Sequence, residues 1–161
     1  MLHIVTYPDP FLRQKAQPIE AIDDQIQTLV DEMAGIMYEK DGVGLAAMQV
    51  GIPKRIMVMD PGDGLQSYFN PEIVEAGTDL ETLEEGCLSL PGIHVDVARP
   101  TRIVVKVLDP RGKPIEIEAE GLLARVFQHE IDHLNGILII DHLSSIQRTL
   151  LRSKLRKLEK Q

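Results

Sequence analysis

The sequence predicts an α+β fold: one domain of short antiparallel or mixed β-sheets packed around a central helix, with a further helix at each end. Three observations carry this. An early stretch repeats apolar residues at helical spacing. The middle of the chain is a series of short β-type runs broken by proline and glycine, and two more helical patterns follow it. At 161 residues the chain is most economically a single domain, 1–161, long enough to bury a core.

The first helix is marked by Ile22, Ile26, Leu29, Val30, Met33, Ile36 and Met37, and Asp41-Gly42 ends it. RIMVMD (55–60) reads as a buried strand, while HVDV (94–97), RIVVKVLD (102–109) and PIEIEAE (114–120) alternate or are β-branched. A second helix runs from about Leu122 to Leu134 and is stopped by Asn135-Gly136. ILII (137–140) reads as a further short strand. The last helix begins near Ser144 or Ser145, with Leu151, Leu155 and Leu158 on one face.

Composition narrows the function classes. No apolar run is long enough to span a bilayer, and the opening MLHIVTYPDPFLRQ lacks the basic and apolar regions of a secretory signal. With a single cysteine, Cys87, no internal disulfide is possible, and the reducing cytoplasm is the expected location. The net charge of -8 argues against non-specific binding of DNA by the body of the protein. Charge is uneven, however. Residues 148–161 hold six Lys or Arg against one Glu, which makes that segment +5 and leaves the rest at -13.

The chemistry concentrates in FQHEIDHLNG (127–136). His129 and His133 are four apart, so on a helix they project from one face and can share a metal ion, with Glu130 placed to handle protons. They continue a stripe begun by Leu122 and Val126. Two core histidines satisfied by backbone carbonyls are the structural alternative. A catalytic site usually needs a third protein ligand. In the extended zincin pattern HExxHxxGxxH, Gly136 matches, but Ile139 stands where the third histidine belongs. Glu159, the only glutamate after His133, sits among basic residues and is a poor ligand.

Upstream lies LEEGCLSLPG (83–92). Cys87 is either ordinary packing or the residue that completes a Cys-His-His set, which would leave a divalent ion at +1 with an open position. A third stretch, DGVGLAAMQVG (41–51), is glycine-rich but lacks the GK[ST] ending of a phosphate loop. Gly42 and Gly44 would let a peptide backbone approach, and Gln49 offers an amide donor. A plain helix-to-strand turn explains the same residues.

GVGLAAMQ (42–49), EGCLS (85–89) and QHEIDH (128–133), in this order and spacing, resemble peptide deformylases of the type 1 kind. That family removes the N-terminal formyl group from nascent polypeptides. The resemblance covers most of the chain and implies that Cys87 is the third ligand beside His129 and His133. It implies one divalent metal, iron(II) in the cell with zinc or nickel as substitutes, that activates a water for attack on the formyl carbon. Glu130 would act as general base and then acid, with the Gln49 amide and the Leu88 backbone N–H on the oxyanion.

The resemblance further implies that the formylated nascent peptide binds as an added strand along Gly42–Gly44 and Gly86–Leu88. Val43, Leu88, Leu122 and Val126 would wall the pocket for its first side chain. Ordinary core is the alternative for each. Arg125 and His94 fall at the pocket's edge, and Asp132 is a candidate to orient a ligating histidine or to pair with Arg99. The basic helix 148–161 reads either as a solvated amphipathic surface helix or as a tether to ribosomal RNA. A monomer is expected. Two other function classes stay open: an HExxH metallopeptidase, and a non-catalytic relative that binds metal or peptide.

Overall fold

The computed structural model describes all residues, Met1–Gln161. Its elements run α1 (Asp24–Glu39), β1 (Gly44–Ala46), β2 (Ile56–Met59), β3 (Gln66–Ala76), β4 (Leu80–Cys87), β5 (Leu90–Pro100), β6 (Arg102–Leu108), β7 (Pro114–Glu120), α2 (Gly121–Leu134) and α3 (Ser145–Glu159). Five strands form one sheet in the order β1-β2-β3-β6-β7, and β4 with β5 forms a second. Every ladder is antiparallel; the one parallel pairing is an isolated bridge between Gln17 and Lys54. The α+β architecture with a central motif helix is the one the sequence predicts.

Local chemistry explains the helix bounds. Asp23 caps α1 by accepting the Ile26 N–H at 2.9 Å, and Asp41 at φ 57 turns the chain away at its other end. Gly121, at φ 60, makes the sharp turn from β7 into α2. Gly136 ends that helix region at φ 75, where an added Cβ would lie 2.4 Å from the Arg13 carbonyl oxygen; no larger residue fits. Ser144 and Gln147 cap α3 reciprocally.

Helix α2 is the centre of the packing. Phe127 and Ala124, both fully buried, meet Met57 and Met59 of β2 and the inner face of β6. Removing the Phe127 ring would cost about 3–5 kcal/mol. Leu12, Leu90, Ile93, Val95 and Val97 gather the smaller sheet, and Leu155 and Leu158 of α3 join that cluster. The N-terminal segment acts as a clasp. Val5 N–H donates to Gln49 O at 2.7 Å, Tyr7 N–H to Ser89 O at 2.8 Å, and the Tyr7 hydroxyl to Glu159 at 2.6 Å.

Two local expectations change, and one strand lies where none was expected. The 137–140 run is not a strand. Asp141 accepts the Leu138 N–H at 2.9 Å and closes a 3-10 turn over Ile139–His142, which buries Leu138, Ile139 and Ile140 without a pairing partner. Strand β3 carries Asn70-Pro71 in its interior, with Asn70 at φ 51, one register shift across the pair (Phe69/Glu72) and a second after it (Ile73/Glu75), so its alternation is broken. Strand β5 spans Leu90–Pro100, well beyond HVDV, and pairs along its length with the charged β4.

Candidate metal centre

The two sheets approach each other where α2 ends one wall of a cleft. Strand β1 is an edge of the larger sheet and β4 belongs to the two-stranded one, so Gly44 and Gly86 both line the cavity between them. Its volume is about 720 Å³. Gly42, Val43, Gln49, Leu88, Leu122 and Val126 line it too, as do His94 and Arg125. Val43 and Leu122 are 41% and 54% exposed, so they are not core; Val126 is buried.

At the bottom lie Cys87, His129 and His133, whose ligating atoms are all within 4.8 Å of one another. Helical spacing brings the two histidines to one face, with ring centroids 5.0 Å apart. Cys87 arrives at the end of β4, where the ladder shifts register between Gly86 and Cys87, and its sulfur lies 3.2 Å from His133 Nε2. Glu130 is buried beside them, with one oxygen 3.7 Å from His129 Nε2 and the other, Oε2, without a partner.

The donors present fit a metal ion. One sulfur and two imidazole nitrogens suit iron, zinc or nickel better than a hard oxygen-seeking cation. The Nδ1 of His129 is engaged by Glu85 at 2.9 Å, which leaves Nε2 for a metal. Burial opposes charge on His129, yet Cys87, Glu85 and Glu130 outweigh it and raise its pKa well above the usual value. The same anionic surroundings favour a cation. Burial, with His129 and Arg99 nearby, lowers the pKa of His133 and keeps it neutral, as a ligand must be. Burial pushes the Glu130 carboxyl up to about 7.

Gln49 is held by its own backbone turn. Its Oε1 accepts the Ala46 N–H at 3.0 Å, which fixes the amide and aims Nε2 at Ser89 Oγ, 3.3 Å away, and toward the Cys87 sulfur at 3.6 Å. Leu88 occupies the turn between β4 and β5, and its N–H has no partner among the turn and loop hydrogen bonds.

The sequence reading overlooked Glu85. In LEEGCLSLPG it is one of two adjacent glutamates, but it is 7% exposed and accepts from two arginines and His129. Arg99 binds it through Nε at 2.6 Å and Nη2 at 2.9 Å, Arg125 through Nη1 at 2.6 Å, and His129 through Nδ1. Burial alone would raise its pKa, but Arg99 and His129 together hold it below the ordinary carboxylate range. Arg125 also donates to the Glu81 and Val97 carbonyls, which gives it a role as a strut as well as a lining residue. Asp132 does pair with Arg99, at 3.0 Å. His94 packs over Gly86, whose added Cβ would meet it at 3.1 Å.

The family profile described as polypeptide deformylase matches residues 1–149. Peptide deformylase from Thermotoga maritima is 50% identical over 155 residues, 96% of this chain and 94% of that protein. The Pseudomonas aeruginosa enzyme is 46% identical, covering 100% of this chain and 98% of its own length. Among solved structures, peptide deformylase 1B of Arabidopsis thaliana in complex with an inhibitor superposes with a TM-score of 0.93 at 40% identity, covering 99% of this chain and 91% of that one. The Plasmodium falciparum enzyme with an inhibitor gives 0.93 and 40%, covering 99% and 100%. By profile, sequence and structure alike, the chain belongs to the polypeptide deformylase family.

Proposed function

We propose that this protein hydrolyses the N-terminal formyl group of formyl-methionyl peptides. The observation that carries the reading is the convergence of Cys87, His129 and His133 with the buried, half-partnered carboxylate of Glu130 beneath an open cleft. Residues 1–161, basic helix included, would act as one metallohydrolase domain, monomeric and cytoplasmic. No helix is long and apolar enough to cross a membrane.

Cys87, His129 and His133 would hold one divalent ion, iron(II) in the cell with zinc or nickel as substitutes. When bound, such an ion polarises the formyl carbonyl and activates water at neutral pH. Each remaining task falls to a group of the chain. Glu130, which lines the cleft and whose buried Oε2 has no partner, takes the proton of the attacking water and returns it to the departing amine nitrogen. Its burial raises its basicity to suit that exchange. The Gln49 Nε2 and the Leu88 N–H donate to the oxygen on which negative charge develops. Gly42–Gly44 and the backbone at Gly86 offer strand edges along which an extended peptide can align. Val43, Leu88, Leu122 and Val126 would receive the methionine side chain.

Zinc binds such a set more tightly than iron(II), so the metal retained after aerobic purification is a poor guide to the cellular one. A metallopeptidase with the same HExxH helix is the other reading, and a Cys87 remote from the histidines would favour it. Cys87 instead touches His133. The test is amine release from a formyl-Met peptide by anaerobically prepared protein carrying iron(II), nickel or zinc. Release that falls about 10²–10⁴-fold in Glu130→Gln, with bound metal retained, is the expected result. Metal-loaded, folded protein that releases no amine would end the deformylase reading.

A further inference from the structure

Beyond Glu85 the polar contacts do not stop. Arg99, buried between the sheet and α2, uses its remaining nitrogen on Asp132, and Asp132 Oδ2 also lies 3.0 Å from His142 Nε2. An unbroken line of hydrogen bonds therefore runs from the 3-10 turn at Ile139–His142 through Asp132, Arg99 and Glu85 to His129 Nδ1. His142 is its outer end, and neither its exposure nor its sequence position marks it as part of the centre.

We propose that His142 is a positioning residue for the metal centre: by donating to Asp132 it fixes Arg99 and Glu85, and so the ring of His129. The inference rests on the reading of Cys87, His129 and His133 as metal ligands. Two physical points support it. Asp132 has a side chain 21% exposed and has room to swing toward water, whereas the Arg99 side chain, 5% exposed, has nowhere else to satisfy that nitrogen. Release of Asp132 would leave Arg99 held by Glu85 alone, and Glu85 shares one oxygen with His129.

The turn that carries His142 is itself rigid. Ile139 and Ile140 are buried, and the neighbouring Asp141 accepts from both Leu138 N–H and Arg13. The imidazole is thus presented from a fixed point of the core, which is what a positioning contact requires.

The test uses full-length protein loaded anaerobically with cobalt(II), in which the visible absorption reports ligand geometry. Unaltered protein is compared with His142→Phe, which keeps a ring but no donor, and His142→Gln, which restores an N–H. In His142→Phe, cobalt loss to excess chelator should be about tenfold faster, at the low end for groups behind a ligand. The cobalt spectrum should change and kcat for a formyl-Met peptide fall while KM holds. His142→Gln should return all of these toward the unaltered protein. Equal release rates and spectra for the Phe variant would overturn the proposal, as would a Gln variant no better than Phe. An unaltered chain that took up no cobalt would instead remove the ligand assignment beneath it.

Discussion

Glu85 Oε1 lies 2.9 Å from His129 Nδ1 although 44 residues separate them, and the same carboxylate neutralises Arg99 and Arg125. One buried anion thus holds the ring of a proposed metal ligand and pairs with two buried cations. In Glu85→Gln, Arg125 loses its counter-charge and Arg99 keeps only Asp132, so stability should drop by about 3–5 kcal/mol. Metal affinity should fall about 10–100-fold. Urea unfolding of the metal-free protein and competition against a chelator measure the two separately.

Cys87→Ser should leave a folded protein that does not retain metal. The sulfur contributes one of three donors and is only partly buried, so the fold depends on it little. Metal analysis after gel filtration, alongside the thermal transition, checks this. Metal retained at the unaltered level would mean that Cys87 is not a ligand.

Glu130 makes the metal-free protein sensitive to pH. Burial carries its carboxyl from 4.5 up to about 7, so the folded chain keeps a proton that the unfolded chain has already released. Its contribution is therefore most favourable below about pH 4.5 and declines as pH rises toward about 7, by on the order of 3 kcal/mol. The difference in stability between unaltered protein and Glu130→Gln, both metal-free, should shift in favour of the variant between pH 5 and pH 7.5. A difference independent of pH would contradict the burial argument.

Gly44 is pressed against Glu130, the proposed base. A Cβ there would lie 2.9 Å from Val126 Cγ1 and 3.1 Å from Glu130 Cγ. Gly44→Ala should therefore displace Glu130 and lower kcat by about 10²-fold, the penalty for misplacing a reacting group by about 1 Å. Bound metal should stay stoichiometric, and steady-state kinetics with metal analysis would show both.

The basic helix calls for charge changes rather than deletion. Leu155 and Leu158 of α3 are buried against β5, and Arg148 donates to the Ile140 carbonyl, so truncation at 148 would damage the fold. If the helix is the tether to ribosomal RNA rather than a solvated surface helix, replacing Arg152, Lys154 and Lys157 with Gln should weaken ribosome binding and flatten its salt dependence while leaving turnover of a short formyl peptide unchanged. Unaltered binding would assign the helix to surface solvation alone.

What the sequence disclosed and what it concealed follow from distance along the chain. His129 and His133 were legible because a helix fixes their separation locally. Cys87 was legible as the one remaining donor of the right chemistry. Glu85 was not, because the alternation of β4 that turns it inward while Glu84 faces water emerges only when β5 pairs with it. A signal was nevertheless present. Arg125 stands one turn before His129 on the same face of α2, and a buried arginine there demands a carboxylate. Strand β3 escaped notice because Asn70-Pro71 interrupts its pattern. ILII read as a strand because apolar runs do not reveal whether a partner edge exists.

The clasp formed by Val5 and Tyr7 sets a schedule for the molecule. Helix α1 and the hairpins β4–β5 and β6–β7 rest on neighbours in sequence and can form early. The bonds from Val5 to Gln49, from Tyr7 to Ser89 and from Tyr7 to Glu159 close long loops, and such closures come late in folding. Cys87 likewise waits for α2 before it can meet His133. Local strand pairing alone therefore does not assemble the centre; it needs α2 docked against the end of β4.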